Sequence, residues 1–206
     1  SLLELASRQT SQERWLSGHE AYTVLRRVED SLTDPAARER ARGILLDRLR
    51  QGGYVPLFDG RSLAGWKGLV ADPPKRAKMT ADELARAQAE ADRKMRAHWR
   101  VVDGVLAFDG KGDSLCTEKD YGDFEVLVDW KIGPDGDSGL YLRGSPQVQI
   151  WDAGKNPVGS GGLYNNEKGP SKPLKAADRP VGEWNVFRVL MIGDRVTVYL
   201  NDERVV

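Results

Sequence analysis

The sequence predicts a mainly β protein, an antiparallel β-sandwich or jelly roll with an N-terminal helical segment and a helical insertion. Short alternating segments separated by turns recur from residue 54 onward, which is typical of antiparallel sheets. The 206 residues include 22 glycines, six tryptophans and six tyrosines, a composition that suits turn-rich β proteins with aromatic surfaces. Two stretches show helical spacing instead, at residues 1–52 and at about 73–98.

Residues 1–52 form the predicted N-terminal helical segment. One helix is expected over residues 11–30, with its apolar side formed by Trp15, Tyr22, Leu25 and Val28. A second helix is expected after Asp34, which can cap it, and should end at Gly52 and Gly53. The two helices predict a hairpin that packs on the main domain or on a neighbour. The last unit of a helical-repeat array is the alternative, but one unit is too little to define a repeat.

Residues 53–206 form the predicted β-sandwich domain. Asp103-Gly104 between two apolar runs indicates a hairpin, and FEVLVDW, SGLYLRG and QVQIWDA alternate as strands do. The stretch PPKRAKMTADELARAQAEADRKMRAH interrupts this pattern at about 73–98. Thr80 and Glu83 form a capping box there, so we predict a mostly polar surface helix. The alternation stops within a hairpin at the last residue, so we expect closing strands, and additional domains or chain, beyond the ends of this sequence.

Charge and motif content argue against several functional classes. Lys and Arg together number 31 and balance 31 Asp and Glu, so we expect no nucleic-acid partner and no electrostatic grip on membranes. No apolar run approaches the roughly 20 residues that span a bilayer. Cys116 is the single cysteine and excludes an internal disulfide. We expect no cofactor. The acidic stretch DGDSG leaves a divalent ion such as Ca²⁺ open, although a turn is the better interpretation.

The strongest functional signal is a set of polar and aromatic side chains on three strands. Alternation assigns Leu140, Leu142, Val148 and Ile150 to the core. The residues predicted to point outward are Glu125, Asp129, Tyr141, Arg143, Gln147, Gln149 and Trp151. If the three strands are neighbours, these side chains gather on one outer face, and the long loop after Gly154 adds Tyr164 and Lys168 at its rim.

Such a face has the chemistry that a sugar requires. Amides, carboxylates and arginine form hydrogen bonds with vicinal hydroxyls, and aromatic rings cover the apolar face of a pyranose. The alternative is an ordinary solvated sheet face, because outward polar residues are the default on antiparallel sheets. His19 and His98 are expected to be structural or exposed, since neither has an Asp or Ser at catalytic spacing in the sequence.

Seven short motifs occur in order along residues 54–206. They are FDGRSLAGW (58–66), WRVVDGVLAF (99–108), LCTEKDYGDFEVLVDWKI (115–132), DSGLYLRG (137–144), QVQIWD (147–152), GLY (162–164) and GEWN (182–185). Their order and combination resemble the 3-keto-disaccharide hydrolase domain family, whose domains are similar to concanavalin A-like lectin and glucanase jelly rolls. The helical residues 1–52 lie outside the resemblance.

The resemblance implies hydrolysis or lytic cleavage of glycosides already oxidised to a ketone at C3. The recurrent polar positions of the family correspond here to Glu125, Asp129, Ser138, Arg143, Gln147, Gln149 and Asp152. Many relatives carry Glu at the position of Gln147, and an amide cannot act as a base. The candidate catalytic carboxylates are therefore Glu125, Asp129 and Asp152. For such a domain we expect an extracytoplasmic location, periplasmic or secreted.

Several mechanisms and functions are compatible with these residues. A C3 ketone acidifies the C2 hydrogen, so a carboxylate can remove it before the aglycone leaves from C1 and water adds. Arg143 or Gln149 would stabilise the developing enolate. A two-carboxylate glycosidase mechanism and a metal-assisted enolisation are alternatives. A non-catalytic, lectin-like carbohydrate-binding module is the alternative function, and a scaffold joined through the helical segment is a third.

Overall fold

The computed structural model describes residues 18–206. The chain divides into two compact units, Ser1–Pro56 and Leu57–Val206. Trp15 and the first part of the predicted helix over residues 11–30 lie outside the described residues. Among residues 18–206, no helix combines the length and the apolar character needed to cross a bilayer.

Two helices make up the described part of the first unit. Helix α1 covers Gly18–Ser31 and helix α2 covers Pro35–Gln51. As predicted, the Asp34 side chain caps α2 by accepting hydrogen bonds from two backbone amides of its first turn, and Gly52 is the C-cap. The buried apolar side chains of this unit are Tyr22, Leu25, Ala37, Ala41 and Leu45.

A buried carboxylate connects the two helices. Arg26 lies one turn before Glu29 in α1, and its Nη1 is 2.9 Å from Glu29 Oε2. Arg42 of α2 approaches the other carboxylate oxygen, with Nη2 at 3.0 Å. Because an unpaired buried carboxylate is costly, the two guanidinium groups fix the pairing of α1 with α2.

Two antiparallel sheets form the sandwich of the second unit. The three-stranded sheet has the order β6-β7-β8, with β6 at Asp137–Tyr141, β7 at Gln147–Trp151 and β8 at Leu163–Tyr164. The four-stranded sheet has the order β11-β10-β9-β5, with β5 at Phe124–Trp130, β9 at Asn185–Ile192, β10 at Arg195–Leu200 and β11 at Glu203–Arg204. The predicted antiparallel β-sandwich with added helices is confirmed, and it is consistent with a jelly roll.

Two smaller strand pairs and two helices complete this unit. Strand β1 (Trp66–Gly68) pairs with β4 (Leu115–Thr117), and β2 (Trp99–Val102) pairs with β3 (Val105–Phe108). The predicted helical insertion consists of α3 (Pro73–Arg76) and α4 (Ala81–His98). The capping box predicted from Thr80 and Glu83 starts α4.

One apolar core lies between the two sheets. The three-stranded sheet and the turn after β6 contribute Leu142, Val148, Ile150 and Leu163, and the four-stranded sheet contributes Trp130, Phe187, Val189, Met191, Val198 and Leu200. Leu140, Leu142, Val148 and Ile150 thus face the core as predicted. Burying each large apolar side chain contributes about 1.5–3 kcal/mol, so this shared core fixes which face of each sheet points outward.

Helix α4 is held against β1 by polar contacts with one glycine. Asp92 Oδ1 accepts a hydrogen bond from Gly68 N at 2.9 Å, and Gln88 Nε2 donates to Gly68 O at 2.9 Å. These side chains replace the hydrogen bonds that a further strand would form with this edge. A Cβ atom at Gly68 would lie 2.2 Å from the backbone oxygen of Ala91. The helix backbone therefore requires glycine at this position.

Replacing Gly68 by alanine should separate α4 from β1. We expect Gly68→Ala to lower the free energy of unfolding by about 1–3 kcal/mol, because the methyl group overpacks the contact with Ala91. Urea unfolding followed by tryptophan fluorescence measures the change. Gly133→Ala is the matched control, since a Cβ there meets no atom within 4 Å. Equal unfolding midpoints for the two variants would contradict the close approach.

Candidate functional site

The polar side chains predicted to share one face lie on two different sheets. Glu125 and Asp129 belong to β5 in the four-stranded sheet, whereas Gln147 and Gln149 belong to β7 in the three-stranded sheet. Both sheets turn their other face to the common core, so the two sets point in opposite directions. The prediction of one shared surface is therefore wrong. Alternation identifies the face of each strand but not the sheet that contains the strand.

Glu125 takes part in a cross-strand ion pair on the outer face of the four-stranded sheet. Its Oε1 lies 2.7 Å from Arg188 Nε on β9. The Arg188 guanidinium in turn lies 5.1 Å from the centre of the Tyr199 ring on β10. Asp129 lies further along the same face of β5 and is half-buried. This face thus combines cross-strand pairs of the kind that stabilise sheets.

Asp152 is buried and surrounded by backbone amides. Its Oδ2 accepts a hydrogen bond from Asp135 N at 3.0 Å. Its Oδ1 accepts hydrogen bonds from Gly154 N at 2.8 Å and from Lys155 N at 3.3 Å. The carboxylate therefore ties the turn after β7 to the loop before β6, and a structural role accounts for its position.

The amides of β7 lie flat on the outer side of the three-stranded sheet. Gln147 is 9% exposed and Gln149 is 5% exposed, although both point away from the core. Both Nε2 atoms donate to the backbone oxygen of Ser138, at 3.0 and 3.1 Å. A Cβ atom at Gly139 would lie 2.1 Å from Gln147 Nε2, so the missing side chain at this glycine makes room for the amide.

We name the outer side of this sheet the amide face. Strand register and alternation place seven residues on it: Asp137, Gly139, Tyr141, Gln147, Gln149, Trp151 and Tyr164. Five of these residues were predicted as site residues from the sequence. Asp137 and Gly139 were not, although both follow from the odd-numbered alternation of DSGLY.

Two exposed tyrosines flank Gln147 across the sheet. Tyr141 pairs with Gln147 on one side and Tyr164 pairs with it on the other. The tyrosines are 46% and 54% exposed. Adjacent strands lie about 4.8 Å apart, so the two tyrosine backbones are separated by about 10 Å. Tyr141, Gln147 and Tyr164 therefore form a row across the sheet, which we call the tyrosine row. In this row the polar Gln147 amide lies between two aromatic side chains.

Arg143 and Lys168 lie outside the amide face, whereas Trp151 lies on it. Arg143 lies beyond the end of β6 with φ at 51°, and its guanidinium donates to the backbone oxygen of Gly193 in the β9–β10 turn. Trp151 is half-buried, and its Nε1 donates to Gly159 O at 2.9 Å. Lys168 is exposed in the loop after β8. The expectation that Arg143 extends the face of Tyr141 is wrong because the chain leaves the strand conformation after Tyr141.

Asp137 is a carboxylate of the amide face that sequence analysis treated as part of a turn. Its Oδ1 accepts a hydrogen bond from Gln149 Nε2 at 2.6 Å. The residue begins β6, lies opposite Trp151 in the register and is exposed to solvent. The amide face therefore contains an accessible carboxylate that is held by a buried amide.

A histidine–aspartate pair lies at the open end of the β2–β3 hairpin, where His98 precedes β2 and Asp109 follows β3. His98 Nδ1 is 3.1 Å from Asp109 Oδ2, because the hairpin brings the two residues together. This hydrogen bond lowers the pKa of Asp109, and the backbone amide of Lys111 adds to the effect. Burial raises the pKa of the Cys116 thiol. Among residues 18–206, no three His, Cys, Asp or Glu side chains group together as a metal site would require.

Two solved structures of candidate glycosyl hydrolases have a fold similar to that of this chain. A candidate glycosyl hydrolase of Parabacteroides distasonis is 25% identical with a TM-score of 0.52, and the match covers 76% of this chain and 72% of that one. A second structure of a candidate glycosyl hydrolase from the same organism is 25% identical with a TM-score of 0.53, covering 73% and 63%.

The sequence of the β domain identifies the family. The profile of the 3-keto-α-glucoside-1,2-lyase-like domain matches residues 53–206, and the chain belongs to this family. It is also similar to a curated 3-keto-disaccharide hydrolase of Bacteroides thetaiotaomicron, with 24% identity over 189 residues and 74% of this chain covered. The match spans 57% of the length of that relative. The family resemblance noted in the motifs is confirmed.

The position of Asp152 predicts a structural effect of substitution. We expect Asp152→Asn to lower the free energy of unfolding by about 1–3 kcal/mol, because the buried, charged acceptor of three backbone hydrogen bonds is lost. Asp135→Asn is the control, since its exposed ion pair with Lys155 contributes little. Urea unfolding of both variants measures the difference. Unchanged stability of Asp152→Asn together with lost activity would indicate a catalytic role instead.

Proposed function

We propose that the β-sandwich binds a glycoside on the amide face and cleaves glycosides that carry a ketone at C3. The observation that carries this proposal is the row formed by Tyr141, Gln147 and Tyr164, with Gln149 and Asp137 beside it. Family membership and the glycosyl hydrolase-like neighbours support a glycoside substrate. The curated 3-keto-disaccharide hydrolase supports the oxidised form of that substrate.

The amide face offers the two kinds of contact that sugars use. The tyrosine rings supply apolar surface for the C–H groups of a pyranose, and their hydroxyls donate and accept hydrogen bonds. The Gln147 and Gln149 amides both direct Nε2 toward the backbone oxygen of Ser138 on the neighbouring strand. Their Oε1 atoms are therefore the parts of the amides that can accept hydrogen bonds from sugar hydroxyls.

The proposed reaction depends on the acidity that a ketone gives to its neighbour. A carbonyl at C3 makes the C2 hydrogen removable by a carboxylate, and the resulting enolate expels the oxygen at C1. Hydrogen-bond donors near the C3 oxygen lower the barrier because they stabilise the developing negative charge. The hydroxyls of Tyr141 and Tyr164 are donors on this face.

A lectin-like carbohydrate-binding module is the second candidate function. Two of the carboxylates expected to be catalytic are engaged elsewhere: Glu125 pairs with Arg188, and Asp152 accepts backbone amides. Binding without catalysis would use the same tyrosines and amides. The two functions therefore differ in whether a bound 3-keto-glycoside is cleaved.

Incubation of the chain with a 3-keto-disaccharide and with its unoxidised parent distinguishes these functions. Chromatography measures released monosaccharide, and ligand-observed NMR measures binding. Release from the keto substrate alone is the expected result. Release from neither sugar, together with binding, would favour the lectin-like module. Release from both at similar rates would favour a two-carboxylate glycosidase mechanism.

Removing either tyrosine of the row should weaken sugar binding. We expect Tyr141→Ala and Tyr164→Ala each to raise Kd about three- to tenfold, equivalent to about 0.7–1.4 kcal/mol, because one aromatic wall is lost. Tyr121→Ala is the matched control, since Tyr121 is 41% exposed and lies outside the amide face. Isothermal titration with a disaccharide measures the change. Equal affinities for all three variants would exclude the row as the binding site.

A further inference from the structure

We propose that Asp137 is the general base of this site and removes the proton from C2 of the 3-keto sugar. This inference rests on the proposed function and adds the catalytic residue that performs its first step. It arises from three observations: the face on which Asp137 lies, the amide that holds its carboxylate, and the contacts that occupy the other candidate carboxylates.

Asp137 lies on the same side of the sheet as the tyrosine row. Gln149 is two positions from the residue opposite Asp137 in the register, and the 2.6 Å hydrogen bond between their side chains shows that both point outward. Because Gln149 Nε2 also donates to Ser138 O, the amide is fixed at both hydrogens and orients Asp137 Oδ1. Because Gln149 holds Oδ1 and Asp137 is exposed, we assign Oδ2 as the oxygen that takes the proton.

The strand leaves space for a sugar ring beside this carboxylate. Gly139 is the next residue of β6 on the amide face, and the flat Gln147 amide covers it. Gln147 Nε2 donates to Ser138 O, so the amide surface extends from the tyrosine row to the residue next to Asp137. Tyr141 lies four residues along β6 from Asp137, about 13 Å at the rise of a strand, so a disaccharide with one ring between the tyrosines would present a carbon of its second ring to Asp137.

The other carboxylates between residues 125 and 152 have different surroundings. Glu125 and Asp129 lie on the outer face of the opposite sheet. Asp152 accepts three backbone hydrogen bonds. Asp135 pairs with Lys155. Among the carboxylates of residues 125–152, Asp137 combines solvent access with a place on the amide face.

The chemical step balances without a further reactant. The Asp137 carboxylate takes the C2 proton, the C–H electron pair forms the C2–C3 double bond, and the π pair of the C3 carbonyl moves to its oxygen to give an enolate. The enolate oxygen then re-forms the C3 carbonyl, and the C2–C3 π pair forms the C1–C2 double bond. The C1–O bond breaks, and the aglycone oxygen leaves with the electron pair of that bond and takes a proton from water. Asp137 returns its proton to solvent. The products are an unsaturated keto sugar and the free aglycone, and water addition would complete hydrolysis.

Asp137→Asn tests this role, because it keeps the size of the side chain and an acceptor for Gln149 while removing the base. Two rates are measured for the full chain in D₂O: release of aglycone from a 3-keto-glycoside, and exchange of its C2 hydrogen for deuterium by NMR. We expect both rates to fall about 10²–10³-fold, with Kd for the unoxidised disaccharide within threefold of wild type. Asp135→Asn is the matched control and should retain both rates. Thermal unfolding confirms that each variant is folded.

Each other outcome overturns the inference. Rates for Asp137→Asn within threefold of wild type would refute the base assignment while leaving the proposed function intact. Aglycone release without C2 exchange in the wild type would show a reaction that needs no C2 base. Absence of both release and exchange in the wild type would overturn the proposed function and this inference together. Loss of disaccharide binding in Asp137→Asn would assign the residue to binding rather than proton transfer.

Discussion

The apolar core shared by the two sheets determines where function can lie in this molecule. Val148 and Ile150 of one sheet and Phe187 and Val189 of the other are buried in one cluster, so each sheet has a single outer face. The two outer faces point in opposite directions because the core lies between them. A site built on one sheet consequently cannot include side chains from the outer face of the other. This constraint separates Glu125 from the glutamines of β7.

Within the three-stranded sheet, one glycine shapes the amide face. Gly139 has no side chain, and the Gln147 amide occupies the space that a Cβ would need. Both β7 amides are buried while they point away from the core, because they lie along the sheet instead of standing out from it. The result is a low polar floor with Tyr141 and Tyr164 standing above it on either side. A surface of this shape suits a pyranose ring, whose hydroxyls lie around its edge.

Alternation and local signals predicted much of this arrangement but not its assembly. The inward positions of β6 and β7, the cap at Asp34 and the capping box at Thr80 all depend on neighbours a few residues away, and the structure confirms them. Sheet membership depends on pairing over long distances: β5 pairs with β9, about 60 positions later, and no local pattern encodes that choice. Arg143 was misplaced for a local reason, since its left-handed backbone ends the alternation.

The neutrality of Gln147 follows from its neighbours. Its Nε2 donates to Ser138 O, and the same oxygen accepts from Gln149, which also holds Asp137. A carboxylate at position 147 could not donate to Ser138 O, and it would place a second negative charge beside Asp137. Two carboxylates in one site disfavour each other's ionisation. The amide at 147 and the carboxylate at 137 therefore have complementary roles. Because Gln147 is a neutral donor, Asp137 on β6 is the single negative charge of this pair.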